Sequence, residues 1–368
     1  MESVKQPAVC GLVILRKLCV TPAHSADERS IPLMSACPPS KLYEEILQHY
    51  ASCTLCPRHC HVNRLAGETG FCGQTMQLRA ARAALHMWEE PCISGAAGSG
   101  TVFFSGCNLR CIYCQNHDIA LGQTGKEISD SRLTEIFLEL QQKGAANINL
   151  VTPTHYLPTI VCALQQARLD GLSLPVVYNC GGYEDVNALK LLEGLVDIYL
   201  PDFKYLSAEL STRYSHAPDY SAKAKSALAE MFRQVGRPVF YHPDSSLMGS
   251  ALSDPPQTPG AVYPAGTPLL RRGMLVRHLV LPGQVKDTKK ILHYLHDTYE
   301  NDIYVSVMRQ YTPLSHVADY PDLNRPVTPE EYGRVVDYCM RLGMENVYIQ
   351  EGDVAMESFI PPFDLSGL

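Results

Sequence analysis

Residues 101–116, TVFFSGCNLRCIYCQN, join an apolar run to three closely spaced cysteines. The run Thr101–Ser105 predicts a buried β-strand. Directly after it, Cys107, Cys111 and Cys114 stand at the spacing C-x3-C-x2-C. Three thiolates on one tight loop can bind three irons of a [4Fe–4S] cluster and leave the fourth iron open to another ligand. Zinc sites favour four ligands in paired C-x2-C units, and this triad has no local fourth cysteine. The stretch therefore predicts an iron–sulfur site at the end of a strand.

From about residue 100 onward, apolar runs of strand length alternate with amphipathic stretches of helix length. Such alternation predicts parallel βαβ units and an α/β fold, a full or partial TIM-type (β/α) barrel. Active sites of such barrels lie on the loops that follow the strands, which is where the three cysteines stand. The predicted strands are Thr101–Ser105, Asn147–Thr152, Pro175–Asn179, Ile198–Phe203, Met274–Leu281, Asp302–Met308 and Glu345–Gln350. The predicted helices are Asp130–Lys143, Pro158–Asp170, Tyr183–Leu192, Ala222–Gln234, Asp287–Tyr299 and Pro329–Leu342.

Composition divides the chain into three parts. Residues 1–40 lack periodicity and are rich in proline, which predicts a disordered leader. Residues 41–99 open with a short predicted helix and form a Cys-rich, metal-binding segment. Residues 100–355 form the barrel, and the Pro-, Gly- and Ser-rich stretch 243–273 predicts a surface insertion that delays the strand at Met274.

A second group of cysteines lies in the Cys-rich segment. Cys53, Cys56, Cys60 and Cys72 read C-x2-C-x3-C-x11-C. Four thiolates suit either a structural zinc ion or a second [4Fe–4S] cluster, and the spacing alone leaves both open. Either centre would stabilise a loop-rich segment that is too small to fold around a hydrophobic core of its own.

Composition excludes several classes of protein. Hydrophobic residues make up 46% of the chain, enough for a large core. The net charge of −7 and the absence of a Lys/Arg-rich block argue against nucleic acid as a partner. No apolar run approaches the roughly 18–20 residues of a membrane span, so no membrane partner is expected. Clustered cysteines suit a reducing compartment, so we expect a cytoplasmic protein, with the mitochondrion as the alternative because residues 3–25 are basic and lack acids.

The loop C-x3-C-x-aromatic-C and its surroundings resemble the radical S-adenosylmethionine superfamily, in its pyruvate formate-lyase activating-enzyme-like branch. The resemblance runs from about Cys53 to Glu351. It rests on the segments CTLCPRHCHVNRLAGETGFCG, GSGTVFFSGCNLRCIYCQN, NINLVTPTH, IYLPDFKY, LVRHLVLPG and SVMRQYTP.

The resemblance implies roles for residues near the strand ends. In the family, acidic and basic residues that end the fourth strand contact the ribose, amino and carboxylate groups of S-adenosylmethionine, and Asp202 and Lys204 stand there. Arg277 resembles a strand arginine that approaches the cofactor carboxylate, a group that a guanidinium can bind in bidentate fashion. Tyr113 would be the aromatic residue beside the cluster.

One element departs from the family. Activating enzymes usually carry a Gly-Gly-Glu-like element that meets the cofactor's amino group, whereas residues 152–155 here read Thr-Pro-Thr-His. Thr154 either hydrogen-bonds to the cofactor or, with Pro153, caps the next helix. Asn179 and Gln310 also follow strands, and each either contacts the cofactor or supports residues that do.

The chemistry that the resemblance implies is reductive cleavage of S-adenosylmethionine to a 5′-deoxyadenosyl radical, which abstracts hydrogen from a substrate. A one-electron donor such as flavodoxin or ferredoxin is the expected partner. The expected substrate is a protein or peptide, as for activating enzymes of glycyl-radical partners. The alternatives are radical modification of another peptide or a small molecule, and a non-catalytic iron–sulfur or zinc scaffold.

Overall fold

The computed structural model describes residues 11–14, 45–242, 266–351 and 361–368. These residues form a single sheet flanked by helices. Its strands are β1 (Gly11–Ile14), β2 (Arg79–His86), β3 (Ser99–Phe104), β4 (Lys126–Glu127), β5 (Ile148–Val151), β6 (Val176–Cys180), β7 (Ile198–Pro201), β8 (Val239–Tyr241), β9 (Leu269–Leu279), β10 (Tyr304–Met308) and β11 (Val347–Glu351).

The helices of the same residues cover the sheet. They are α1 (Pro91–Ser94), α2 (His117–Ala120), α3 (Asp130–Gln142), α4 (Leu157–Leu169), α5 (Val186–Lys190), α6 (Ala208–Ser215), α7 (Tyr220–Val235), α8 (Val285–Tyr299) and α9 (Pro329–Leu342). Short 3₁₀ helices lie at Gln48–Tyr50, Arg64–Ala66, Thr154–Tyr156 and Ser315–Val317. Within the described ranges, none of the helices combines the length and apolar character needed to cross a membrane.

The sheet is a partial barrel. Strands β3, β5, β6, β7, β9, β10 and β11 run parallel to one another in this order. Beyond β3 the antiparallel β2 and β4 extend one edge, and at the other edge β1 pairs antiparallel with β11. In the part of the chain that the structure describes, the two ends of this series do not pair, so the barrel stays open. The prediction of an α/β fold with a full or partial barrel is confirmed in its partial form.

Burial explains why the parallel strands could be predicted from the sequence. Every residue of β3, β5, β6 and β7 is buried, because helices cover one face of the sheet and the barrel interior the other. Strands buried on both faces appear as continuous apolar runs. The helices have one buried face and clear end signals: α9 begins at a capping box in which Thr328 and Glu331 satisfy each other's backbone N–H groups.

The seven predicted strands and six predicted helices all form, and some boundaries need correction. β9 begins at Leu269 rather than Met274, so residues 269–273 belong to the sheet, where they pair with β8. Residues 243–265 of the predicted insertion lie outside the described residues. Within the predicted leader Gly11–Ile14 form β1, and the rest of residues 1–40 also lies outside them. Strands β2, β4 and β8 and helices α1, α2 and α6 were not predicted.

The last residues of the chain pack on the open side of the barrel. The N–H of Leu365 donates to the carbonyl of Ala81, and the N–H of Ala83 donates to the carbonyl of Ser366. Phe363 packs edge to face on Phe103, with 5.4 Å between ring centroids. The C-terminal residues therefore cover part of β2.

Gly182 lies at a close approach between the ends of β6 and β7. Its φ is +76°, and a Cβ atom built there would lie 2.1 Å from the carbonyl oxygen of Asp202. Gly194 has a similar φ of +79°, but a Cβ atom there would meet nothing within 4 Å. A side chain at Gly194 would therefore meet only backbone strain, whereas one at Gly182 would meet both backbone strain and a steric clash.

We expect Gly194→Ala to lower the free energy of unfolding by about 1–2 kcal/mol, the cost of a left-handed backbone for an L residue. Gly182→Ala should cost more, on the order of 3–5 kcal/mol, because the Asp202 carbonyl must also move. Urea denaturation of the two variants measures the difference. Equal losses would mean that the contact with Asp202 does not constrain the chain.

Candidate functional site

A cavity of about 240 Å³ opens at the carboxyl ends of the parallel strands. Two groups of predicted site residues line it. The cysteine loop contributes Cys111, Tyr113 and Cys114, and the strand ends contribute Asn179, Asp202, Lys204, Arg277 and Gln310. The fold thus brings together residues that are up to about 200 positions apart, because parallel strands all end on the same side of the sheet.

The cysteine loop turns sharply away from β3. Gly106, with a φ of +90°, starts the turn, and Arg110 within the loop also has a positive φ, of +49°. Cys111 is buried, while Cys107 and Cys114 are half-buried. The N–H of Leu109 lies 3.4 Å from the Cys107 sulfur, which can accept its hydrogen bond.

Burial favours the protonated form of the Cys107 and Cys114 thiols in the absence of a cation. Desolvation raises the pKa of Cys107 to about 11 and that of Cys114 to about 12. A bound iron reverses this preference, because metal ligation stabilises the thiolate. Among the described residues, no three Cys, His, Asp or Glu side chains are placed to share one metal ion. Thiolates of a cubane bind different irons, so they need not converge on one point.

Tyr113 is buried and joins a hydrogen-bonded series that ends on the cluster loop. The Tyr205 hydroxyl donates to Tyr113 over 2.6 Å and lies 2.8 Å from the hydroxyl of Ser215. Ser215, the last residue of α6, donates to the sulfur of Cys111 over 2.9 Å. The sequence did not single out Ser215, because α6 itself was not predicted.

The charged residues of the cavity neutralise one another. Lys204 Nζ lies 2.6 Å from Asp202, and Arg277 Nε lies 3.3 Å from the other oxygen of the same carboxylate. Burial alone would favour the neutral acid, but these two cations hold the pKa of Asp202 below its usual value. Arg277 also donates to the side-chain carbonyl of Asn179. Four of the predicted residues therefore form one polar network.

Glu89 completes this network and was missed by the sequence analysis. Its carboxylate lies 3.0 Å from Arg277 Nη1 and accepts a hydrogen bond of 3.0 Å from Asn149 Nδ2. Glu90, the next residue, is fully buried, and burial raises its pKa. The only available signal was a pair of acids between Trp88 and Pro91, in a stretch with no clear periodicity.

Thr154 and Gln310 occupy different settings. Thr154 is buried outside the cavity lining, where its hydroxyl donates to Glu184 over 2.9 Å. The Tyr178 hydroxyl donates to the other oxygen of Glu184. Gln310 lines the cavity, and its side-chain carbonyl accepts a hydrogen bond from Gln350. The structure therefore gathers every predicted cofactor residue except Thr154 around one space.

The second cysteine group surrounds a separate, smaller cavity of about 10 Å³. Cys53 and Cys72 are buried, and Cys56 and Cys60 are half-buried. All four line the cavity, together with Arg64 and His155. The four-cysteine cavity is thus distinct from the large one.

Comparison with known proteins supports an iron–sulfur site in the first half of the chain. Residues 93–175 match a family model described as a 4Fe-4S single cluster domain. This range includes the three-cysteine loop, so the class of cluster expected there agrees with the match, while the individual ligands remain predictions. An uncharacterized protein of Methanocaldococcus jannaschii is 28% identical over 309 residues, which make up 81% of this chain and 77% of that protein.

Solved structures with a similar arrangement are more distant. Native anSMEcpe with bound AdoMet is 12% identical at a TM-score of 0.44, covering 66% of this chain and 61% of that one. Streptococcus suis SuiB bound to precursor peptide SuiA is 11% identical at a TM-score of 0.41, covering 66% and 46%. HydG, a maturase of the FeFe-hydrogenase, is 14% identical at a TM-score of 0.41, covering 66% and 48%. The chain spans about half to three fifths of these proteins, and TM-scores below 0.5 transfer none of their chemistry.

The buried Glu184 predicts a pH dependence of stability. Burial raises its pKa to about 8, against an ordinary value of 4.5, so the folded protein holds a proton that the unfolded chain loses. The contribution of Glu184 to stability is therefore full below about pH 4.5 and is lost as the pH rises toward 8.

We expect Glu184→Gln to remove this loss, because the amide does not titrate. Between pH 5 and 8, the free energy of unfolding of the variant should rise relative to the parent protein by about 3–4 kcal/mol. Urea denaturation across this range measures the difference, with the exposed Glu209→Gln as the control. A difference that stays constant with pH would contradict a neutral, buried Glu184.

Proposed function

We propose that this chain is a radical S-adenosylmethionine enzyme. The observation that carries the proposal is that Cys111 and Cys114 line the same cavity as the polar network of Asp202, Lys204 and Arg277. A cluster held by Cys107, Cys111 and Cys114 would therefore face the charged residues that can bind a zwitterionic cofactor.

The residues of the cavity suit both an iron–sulfur cluster and S-adenosylmethionine. Burial raises the pKa of the Cys107 and Cys114 thiols, and a bound iron would favour their ionised form. The network contains two cations and two carboxylates, counting Glu89, and so offers partners for both the carboxylate and the ammonium of the cofactor's methionine part. When bound, the cluster and S-adenosylmethionine supply one-electron cleavage of a sulfonium and a radical that abstracts hydrogen.

The chain's own residues would bind and orient the cofactor. Arg277 and Lys204 would pair with its carboxylate, and Asp202 with its amino or ribose groups. Arg277 is held between Glu89 and Asp202, so its planar guanidinium group is already oriented before the cofactor binds. Tyr113, packed against Tyr205, Tyr214 and Tyr311, would shield one side of the cluster from water.

The finer proposal is hydrogen abstraction from a protein or peptide, as in glycyl-radical activating enzymes. The sequence resemblance to activating enzymes supports it. The electron would come from a flavodoxin- or ferredoxin-type donor.

We expect the anaerobically reconstituted protein to bind iron and sulfide and, when reduced, to convert S-adenosylmethionine to methionine and 5′-deoxyadenosine. Cys111→Ala should lower this conversion by about a hundredfold or more, because two thiolates should not preserve the open iron. Cys162→Ala, half-buried on α4, is the matched control and should retain conversion.

Chromatographic analysis of the products measures these outcomes. If the parent protein binds a cluster but neither cleaves S-adenosylmethionine nor changes its spectrum on adding it, the enzyme proposal is wrong and a scaffold remains. Substantial conversion by Cys111→Ala would remove this cysteine from the cluster.

The hydrogen bond from Ser215 to Cys111 should raise the reduction potential of the cluster. Hydrogen bonds to a cluster ligand stabilise the reduced, more negative state, so Ser215→Ala should keep its iron but lower the reduction potential by roughly tens of millivolts. Anaerobic redox titration followed by EPR measures the shift. The control is Ser226→Ala, whose hydroxyl bonds only within exposed turns of α7. An unchanged potential would show that the hydroxyl does not bond to the cluster ligand.

A further inference from the structure

The four-cysteine cavity, defined by Cys53, Cys56, Cys60 and Cys72, is held by backbone contacts. The N–H of Cys53 donates to Val62, and the N–H of His61 donates back to Cys53. The N–H of Phe71 lies 3.4 Å from the Cys60 sulfur, within reach of a hydrogen bond to it. The loops that carry the four thiols are therefore tied to one another before any metal is considered.

Among the described residues, the four thiols do not converge as the ligands of one zinc ion do. Tetrahedral zinc sites have Zn–S distances of about 2.3 Å, which set the four sulfurs about 3.8 Å apart and leave no room for a water-sized sphere between them. Here the thiols line a cavity of about 10 Å³, which a water-sized sphere can enter. In the described part of the chain, no three metal-binding side chains converge on a common point. Thiolates of a cubane bind four different irons, so they need not converge on one point.

A buried cation in the cavity wall calls for an anionic centre. Arg64 is only 1% exposed. Its guanidinium donates to the backbone carbonyls of Gln74, Thr75 and His155, and Nη1 lies 4.0 Å from the Cys53 sulfur. The hydrogen bonds that the described residues make to this guanidinium include none from a carboxylate. A buried charge is costly without a counter-charge, and an iron–sulfur centre held by four thiolates supplies one.

His155 adds an unsatisfied acceptor or donor to the same wall. The residue is 2% exposed, and its Nε2 lies 2.7 Å from the carbonyl of Ser105. Its Nδ1 is buried and has no hydrogen-bond partner among the described residues. Ser105 stands two residues before Cys107, so His155 joins the wall of the four-cysteine cavity to the strand end that precedes the other cysteine loop.

The two cysteine loops touch each other. A Cβ atom built on Gly106 would lie 3.0 Å from the carbonyl oxygen of Cys72. Arg58, between Cys56 and Cys60, donates from Nε to the carbonyl of Asn108 over 2.9 Å. One loop of the four-cysteine cavity therefore packs directly on the loop that follows β3.

We propose that Cys53, Cys56, Cys60 and Cys72 hold a second [4Fe–4S] cluster, which passes electrons to the first. Four thiolates leave no iron open, so the second cluster cannot bind S-adenosylmethionine and serves electron transfer. A flavodoxin- or ferredoxin-type donor gives one electron to the second cluster, which returns to its oxidised state as the first cluster gains that electron. The transfer step rests on the function proposed above, whereas the presence of the second cluster does not.

Metal analysis of a variant without the first cluster tests the site. Cys107→Ala, Cys111→Ala and Cys114→Ala are combined in the full-length chain, which is reconstituted anaerobically with iron and sulfide in the presence of zinc. We expect about four irons and four sulfides per chain, and a reduced-state EPR signal that S-adenosylmethionine does not alter. About one zinc and no iron would overturn the proposal.

The parent protein gives an independent count if the triple variant does not fold. About eight irons per chain support two clusters, and about four irons with one zinc contradict them. Retention of a cluster by the triple variant, with no cofactor cleavage by the parent, would reject the proposed function and leave the second cluster standing.

The relay is tested by Cys60→Ala, with Cys162→Ala as the control. Reduction of the first cluster by photoreduced flavodoxin should slow by about tenfold or more, while reduction by the small molecule dithionite should stay within about twofold, because only the protein donor needs the relay. EPR at successive times follows the first cluster in both reactions. Equal slowing by both reductants would indicate a damaged first site and overturn the relay.

Discussion

The large cavity depends on the ion pairs of the half-buried Asp202 carboxylate. This carboxylate lies between Lys204 and Arg277, and the second of these cations also binds Glu89. Each charge is buried only because the others compensate for it, since a lone ion away from water would be unstable. The backbone reinforces the arrangement: Asp202 bridges to Arg277 beyond the end of β7, and the N–H of Asp202 donates to Cys180 at the end of β6. The strand ends thus carry a network of charges that is ready for a zwitterionic ligand.

Two parts of the chain hold the three-cysteine loop in place: the residues around Tyr113 and the Cys-rich segment that precedes the barrel. The thiols of this loop are shielded from water on one side by the tyrosines around Tyr113, and Ser215 donates to Cys111 from the end of α6. On the other side, Arg58 binds the loop through the carbonyl of Asn108. The Cys-rich segment therefore packs against the three-cysteine loop and supports it from that side.

Most of the fold could be predicted, because strands buried on both faces appear as long apolar runs. The failures have local causes. β2 alternates between buried and half-buried residues with arginine and alanine, which reads weakly as a strand, and α6 is short and polar. β9 begins early because residues 269–273 pair with β8, a partner that no pattern in the 243–273 stretch indicates. The seven clustered cysteines and five polar residues of the cavity were singled out from spacing, from strand ends and from the resemblance, whereas Glu89, Glu184 and Ser215 were not.

The sequence by itself determined the order of strands and helices, the iron–sulfur character of the three-cysteine loop and the ends of the strands where polar residues gather. These depend on periodicity and on spacing along the chain, which are local properties. The tertiary structure decided that Thr154 turns to Glu184 and away from the cavity, that Glu89 meets Arg277 across 188 positions, and that the four-cysteine cavity rests on the first cluster loop. These are contacts between distant segments, and their formation follows from how the sheet curves and closes around its core, which no local pattern records.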